Sequence, residues 1–199
     1  NKNAKKFIQT VSYLPHFISI VVVVGFINKL LSPNAGAINM LRLNLGMNSI
    51  NYIAKPEWFR TIYIVSEIWQ NMGWNAIIYI AALSGVDSQL YEAAMIDGAG
   101  RWKQTVHVTI PGIMPTIVIT LIMSVGSMLA IGYEKVLLLM NNLNKETADI
   151  ISTYVYRLGI VDSNYSYSTA VGLFNAVVGL ILVCSANYVC RKVSDTSLW

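Results

Sequence analysis

Polar side chains inside an apolar segment are the residues of this chain best suited to chemistry. Glu67, Asn71 and Asn75 recur every four residues within the mainly apolar stretch 61–83, a spacing that places them on one face of a helix. Carboxylate and amide groups can hydrogen-bond the hydroxyl groups of a sugar. The face therefore predicts either the wall of a solute pathway or a set of hydrogen bonds between helices. Asn175, in a later apolar segment, is a further candidate for contact with a solute.

Catalytic and metal-binding patterns are absent from the sequence. His16 and His107 are far apart, and neither has a Cys or His nearby at ligand spacing. The stretch 98–105, GAGRWKQT, lacks the Gly-Lys-Ser/Thr ending of a phosphate-binding loop. We therefore expect no enzyme activity, no metal ion and no cofactor bound by this chain.

The composition is that of a membrane protein. The chain is 55% apolar and 12% charged, whereas soluble domains carry roughly 25% charged residues. The net charge of +4 comes from Lys and Arg that flank the apolar segments. Because these residues do not form one basic stripe, nucleic-acid binding is not expected. We interpret Cys184 and Cys190 as reduced packing residues, since disulfides are rare on the cytosolic side.

Four apolar segments are long enough to cross a bilayer as helices. They lie at about 11–31, 61–83, 113–140 and 169–189. Backbone polar groups inside lipid must be paired within their own segment, so a helix is expected for each. The sequence thus predicts an all-α membrane protein, a polytopic helical bundle forming one transmembrane domain over 1–199. Glu134 and Lys135, within the third segment near its end, are interpreted as interfacial anchors.

The distribution of Lys and Arg predicts the orientation, because short cytoplasmic loops carry the excess. Seven lie in the segments assigned to the cytoplasm and five in the two outer loops. We therefore expect a multi-pass protein whose two termini and loop at about 85–112 are all cytoplasmic.

That loop contains a spaced motif within Tyr91–Pro115, YEAAMIDGAGRWKQTVHVTIPGIMP. A Glu-Ala-Ala triplet begins at Glu92, a glycine follows six positions later, and Pro111 is preceded by an apolar residue. Asp87 is positioned to cap a helix, Gly98 to end it, and Pro111 to end a second helix. An ordinary amphipathic connector is the alternative interpretation.

The motif closely resembles the EAA loop of binding-protein-dependent ABC importer permeases. In that family the loop is the cytoplasmic element that docks into an ATPase subunit, which binds the ATP and Mg²⁺. The resemblance assigns this coupling role to seven residues: Glu92, Ala93, Ala94, Asp97, Gly98, Gly100 and Pro111.

Other stretches resemble the bacterial permeases for sugar and polysaccharide uptake. They are 9–19, 69–94, 148–160, 167–182 and the terminal 195–199. The resemblance implies a permease subunit in the bacterial inner membrane that forms half of a pathway for a sugar or oligosaccharide. Its implied partners are an ATPase dimer, a second and different permease subunit, and an extracytoplasmic solute-binding protein. Permeases of this branch have six helices, so these are the last four, and further sequence is expected before Asn1.

Three alternatives remain open at this stage. The first is an importer of a non-sugar solute. The second is a secondary transporter or channel subunit, for which intramembrane charge pairs or broken helices are expected; the sequence offers a single mid-span carboxylate instead. The third is a structural membrane anchor, which leaves the loop motif and the polar face unexplained.

Overall fold

The computed structural model describes residues 2–129 and 132–193, and all regular secondary structure in these residues is helical. The α-helices are α1 Lys2–Tyr13, α2 Ile20–Leu30, α3 Ala37–Asn44, α4 Pro56–Ser84, α5 Ser88–Ile96, α6 Arg101–Gln104, α7 Ile110–Gly112, α8 Met114–Gly126, α9 Tyr133–Leu139, α10 Lys145–Ala148, α11 Ile151–Tyr156 and α12 Tyr165–Val193. The segment 195–199, used above for its resemblance, lies outside the described residues.

The described residues fall into two compact units. One consists of 2–74 and 132–172, and the other of 75–129 and 173–193. The core of the first unit includes Val24, Phe59, Val136 and Leu139. The core of the second is built around Ile122, which is fully buried.

The first predicted segment is not one straight helix. A 3₁₀ turn at Leu14–Phe17 separates α1 from α2, and the two arms meet at 99°. Pro15 lies at the start of this turn, where its fixed φ and missing N–H are tolerated. The segment 11–31 is thus bent near Pro15, and the chain turns before Ser19 begins a new helix.

Helix α4 contains the whole second predicted segment and begins at Pro56, a favourable first position. Its buried residues include Ser66, Gln70 and Gly73, which are small or polar. A Cβ added at Gly73 would collide with the backbone of Ser12 in α1. The missing side chain of Gly73 thus permits close approach of the two helices.

The third predicted segment is also divided. Helix α8 ends at Gly126 and α9 begins at Tyr133, so a single helix over 113–140 was a wrong expectation. Glycine at 126 and 132 flanks the interruption, and glycine is a poor helix former. Residues 130 and 131 of this range lie outside the described part of the chain.

Helix α12 covers the fourth predicted segment. A Cβ at Gly126 of α8 would press on Val183 of α12, so small residues allow these helices to pack closely. By length and composition, Tyr165–Lys192 is the one described helix able to cross a membrane by itself. The number rises to three if each of two bent helix pairs counts as one span. The four predicted spans remain a prediction.

An ion pair stabilises the segment between α9 and α12. Arg157 donates to Asp149 at 2.6 Å, and Thr153 donates to the same carboxylate at 2.7 Å. Partial burial raises the pKa of Asp149, but the hydrogen bonds from Arg157 and Thr153 outweigh it and the pKa lies below its ordinary value. The folded segment is therefore stabilised by the ionised form of Asp149.

Candidate functional site

The predicted loop contains a short helix with defined caps at both ends. Asp87 accepts a hydrogen bond from the Gln89 backbone at 2.9 Å, which confirms the predicted N-cap. Gly98 has a φ of +71°, and the amides of Gly98 and Ala99 donate to the carbonyls of Met95 and Ala94 at 3.1 and 2.9 Å. This is the Schellman pattern of helix termination. The loop therefore has a fixed shape rather than an arbitrary one.

A second arm leads back from the loop. Helix α6 continues through a π-helical turn, Thr105–Thr109, into α7, so the arm extends past Pro111 and breaks at Ile113. The helix thus ends at Gly112, one residue after the predicted end at Pro111. The wider π turn lies directly before Pro111, where a proline ring would clash with the carbonyl of a regular turn.

Two side-chain contacts join the arms. Tyr91 Oη lies 3.0 Å from Thr109 Oγ1, and Gln104 Nε2 donates to the Ala99 carbonyl at 2.8 Å. The first connects α5 to the π turn that follows α6, and the second connects α6 to the segment between α5 and α6. The arms therefore form one folded element within the second unit.

The outer surface of this element exposes large apolar side chains. Ile96 is 86% exposed and Trp102 is 79% exposed, and Met95 and Leu90 are also exposed. Beside them is an open cleft of about 530 Å³, lined in part by Ala93, Ala94, Asp97, Lys103 and His107. Glu92, Gly98, Gly100 and Pro111 are exposed as well. Apolar exposure of this kind marks a surface that contacts another protein or a lipid bilayer.

A charged network lies inside the first unit. Lys135 Nζ donates to Glu67 Oε2 at 2.9 Å and to Gln70 Oε1 at 3.4 Å. The side chain of Lys135 is fully buried, whereas that of Glu67 is 41% exposed. Lys135 is therefore no interfacial anchor, and that interpretation was wrong. Its neighbour Glu134 is exposed.

The network continues from Glu67 to an aromatic pair. Asn71 Nδ2 donates to Glu67 Oε1 at 2.6 Å, and Asn71 Oδ1 lies 3.0 Å from His16 Nδ1. Because a carboxylate only accepts, Asn71 must direct its amide nitrogen to Glu67 and its oxygen to His16, whose Nδ1 therefore donates. The ring of His16 is stacked on Trp74 with centroids 4.5 Å apart. Both polar atoms of Asn71 are thus occupied within the protein.

The four predicted pathway residues have different surroundings. Glu67 and Asn71 are hydrogen-bonded to each other. Asn75, one turn further along α4, is exposed. Asn175 is half-buried in α12, in the second unit. The pathway role of all four stays a prediction.

The sequence analysis did not identify Lys135, Gln70, Trp74 and His16 as members of this network. Their contacts reach across 52 to 68 positions of sequence, so periodicity could not reveal them. One signal was available for Lys135, because a lysine within a predicted span is costly unless it is paired.

The Glu67–Lys135 pair also removes one argument made from the sequence. A secondary transporter was disfavoured because the sequence offered a single mid-span carboxylate. This carboxylate has a cationic partner, the first segment is bent, and the third is interrupted between Gly126 and Tyr133. Geometry alone thus does not separate the classes. Among the described residues, no group of three or more His, Cys, Asp or Glu is placed to hold a metal ion.

The all-helical fold, the polar network among apolar helices and the capped, exposed loop are compatible with the membrane component of a transporter. The chain belongs to the family of binding-protein-dependent transport system inner membrane components, which it matches over residues 4–195. The resemblance drawn from the loop motif is thereby confirmed, and so is the all-α fold class. The family is one of transport components in the inner membrane rather than of enzymes.

Several relatives transport carbohydrates, according to their names. The chain is 48% identical over 195 residues to the polygalacturonan/rhamnogalacturonan transport system permease protein YteP of Bacillus subtilis. It is 28% identical over 180 residues to the diacetylchitobiose uptake system permease protein NgcF of Streptomyces coelicolor. These alignments cover 98% and 88% of this chain and 61% and 50% of the relatives.

The fold is that of a solved transporter subunit. A chain from the crystal structure of a bacterial alginate ABC transporter, in complex with its alginate pentasaccharide-bound periplasmic protein, superimposes with a TM-score of 0.96 and 43% identity. The superposition covers 100% of this chain and 69% of that chain. The present chain thus spans about half to two thirds of the length of these proteins.

Proposed function

We propose that this chain belongs to a permease subunit of an ATP-driven importer and forms part of the pathway for an oligosaccharide. The observation that carries the proposal is the capped loop of α5 and α6, whose apolar side chains are exposed in the part of the chain that the structure describes. A loop of defined conformation that exposes apolar side chains beside a cleft is suited to insertion into a groove on an ATPase subunit. ATP and Mg²⁺ are then bound and used by that partner.

The loop residues have distinct roles in this proposal. Ala93 and Ala94 line the cleft and keep it open because they are small. Gly98 supplies the left-handed backbone that ends α5. Glu92 is an exposed negative charge available to a partner, and Trp102 and Ile96 supply apolar area.

The solute class is supported by the relatives rather than by the geometry. Those named above transport, by name, polymers or short chains of sugars, and two are named for acidic saccharides. The polar face of α4, with Glu67, Asn71 and Asn75, provides groups that could hydrogen-bond sugar hydroxyls. Asn175 of α12 is a further candidate. An extracytoplasmic binding protein would deliver the solute, and a second permease subunit would complete the pathway.

Reconstitution of the full-length protein tests the proposal. The protein would be co-expressed with its ATPase and second permease, placed in proteoliposomes, and supplied with binding protein and labelled oligogalacturonide or chito-oligosaccharide. ATP-dependent uptake is the expected result. Uptake that proceeds without an ATPase and follows an ion gradient would instead identify a secondary transporter.

The orientation is tested separately. Both termini and Lys103 should be cytoplasmic, and Asn164 should face outward. Single cysteines at Lys103 and Asn164 are introduced after replacement of Cys184 and Cys190, and intact cells are treated with an impermeant thiol reagent. Labelling at position 103 but not at 164 would reverse the proposed topology.

A further inference from the structure

The two partners of the Glu67–Lys135 ion pair differ sharply in exposure. The ammonium group of Lys135 is fully buried, and the carboxylate of Glu67, 2.9 Å away, belongs to a side chain that is 41% exposed. Gln70 contacts the ammonium at 3.4 Å, and the ring centroid of Tyr63 lies 5.7 Å from it. The ammonium is thus enclosed behind the carboxylate. A molecule that reaches this part of α4 meets Glu67 first.

We infer that Lys135 is a positioning residue that neutralises this wall and thereby admits solutes that carry carboxylates. The inference rests on the proposed function, because it requires Glu67 to face the solute route. An unpaired carboxylate would repel an anionic solute, and the repulsion grows as water is excluded. With the ammonium directly behind it, Glu67 belongs to a pair without net charge.

The solutes named for two relatives indicate why an ion pair without net charge would be useful on the route. The solutes named for YteP include polygalacturonan, a polymer of a sugar acid, and the alginate of the solved transporter is described as an acidic polysaccharide. An anionic chain has to pass each charged group on its route. A neutral sugar does not experience this repulsion. Lys135 therefore controls the ratio of acidic to neutral solute rather than uptake in general.

Lys135 also positions Glu67 for a second contact. One carboxylate oxygen accepts from Lys135, and the other accepts from Asn71 at 2.6 Å. Loss of Lys135 would therefore change both the charge and the orientation of Glu67. Removal of the carboxylate charge in the same protein separates the two effects, since a glutamine at 67 is neutral and still accepts from Asn71.

The test uses the complete importer in proteoliposomes with two matched probes. One is an oligogalacturonide and the other is the same oligosaccharide with its carboxylates methyl-esterified. Wild type is compared with Lys135→Met and with Lys135→Met/Glu67→Gln. Lys145→Met removes an equal charge from the exposed surface of α10 and is the control.

Lys135→Met should lower the acid-to-ester ratio of kcat/KM by roughly tenfold, as expected for one uncompensated charge near the route. The double variant should restore the ratio, and Lys145→Met should leave it unchanged. A ratio that is unaltered in Lys135→Met, or that stays low in the double variant, overturns the inference. So does a wild-type complex that imports the ester but not the acid.

Assembly is measured alongside uptake. If Lys135→Met does not assemble, the double variant carries the test, and it should assemble with the wild-type ratio. Failure of both variants to assemble would make the pair a structural one and overturn the inference. A wild-type complex that imports neither probe contradicts the proposed solute class instead, so the two failures are distinguishable.

Discussion

Replacement of Gly98 by alanine should loosen the end of α5 without any steric clash. Gly98 has a φ of +71°, and a Cβ built there meets no atom within 4 Å. The cost is therefore conformational, about 1–2 kcal/mol for an ordinary residue in the left-handed region. That energy corresponds to about a five- to thirtyfold shift toward the opened loop.

The loop provides its own matched control. A Cβ at Gly100 also meets nothing within 4 Å, but its φ is −66°, which any residue adopts. Gly100→Ala should therefore leave the end of α5 unchanged. Gly98→Asn should have an intermediate effect, because asparagine tolerates the left-handed region better than alanine does.

Hydrogen exchange followed by mass spectrometry on peptides spanning 88–100 measures the opening directly. The amides of Gly98 and Ala99, which donate to Met95 and Ala94, should exchange about five to thirty times faster in Gly98→Ala. If the loop couples to an ATPase, uptake per ATP should also fall. Equal exchange in Gly98→Ala and Gly100→Ala would refute the conformational argument.

Three further predictions concern packing, pH and the polar face. Gly73→Ala should lower the free energy of unfolding by about 1–3 kcal/mol, because the added Cβ collides with the backbone of α1. A Cβ at Gly25 meets nothing within 4 Å, so Gly25→Ala should be tolerated. Thermal unfolding of both variants in detergent tests this difference. The pKa of Asp149 is lower in the folded chain than its ordinary value of 3.8. Its ionised carboxylate therefore stabilises the fold above pH 3.8, and this stabilisation is lost as the pH falls through the pKa of the folded chain. Asp149→Asn should abolish this part of the acid sensitivity, measured by thermal unfolding between about pH 5 and pH 2. Asn71→Leu leaves two hydrogen-bonding partners unsatisfied and should weaken assembly by about 1–3 kcal/mol, whereas Asn75→Leu should reduce uptake with assembly intact.

Each of these predictions has a contrary result. Equal melting temperatures for Gly73→Ala and Gly25→Ala would show that α1 yields at its contact with α4. Acid sensitivity that persists in Asp149→Asn would assign it to other groups. Unaltered uptake and solute range in Asn75→Leu would remove Asn75 from the pathway.

The sequence analysis correctly predicted features that depend on residues close together in the chain. Asp87 caps α5 and Gly98 ends it because an N-cap and a left-handed terminus depend on residues within one or two turns. The all-helical fold follows from the need to pair backbone groups in lipid. Such features are encoded in stretches of about ten residues.

Features that depend on distant partners were not read correctly. Lys135 looked like an anchor because its partner Glu67 is 68 positions away. Hydropathy also made 113–140 look continuous, although α8 ends at Gly126 and α9 begins at Tyr133. A continuous apolar segment indicates which residues can be buried in lipid or protein, but it does not indicate where the helix bends.

The bend before Ser19 has a consequence for how this protein is made. The carbonyl of Ile18, next to the bend, accepts a hydrogen bond from Gln70 Nε2 at 3.1 Å, across 52 positions of sequence. During synthesis α1 and α2 leave the ribosome before that amide exists. A carbonyl without a hydrogen-bond partner is costly in lipid. The bent form therefore becomes favourable when α4 arrives and Gln70 can donate to the Ile18 carbonyl. We therefore expect insertion of the first segment to precede its final bending, and a ribosome stalled before α4 should hold the first segment in a straighter form.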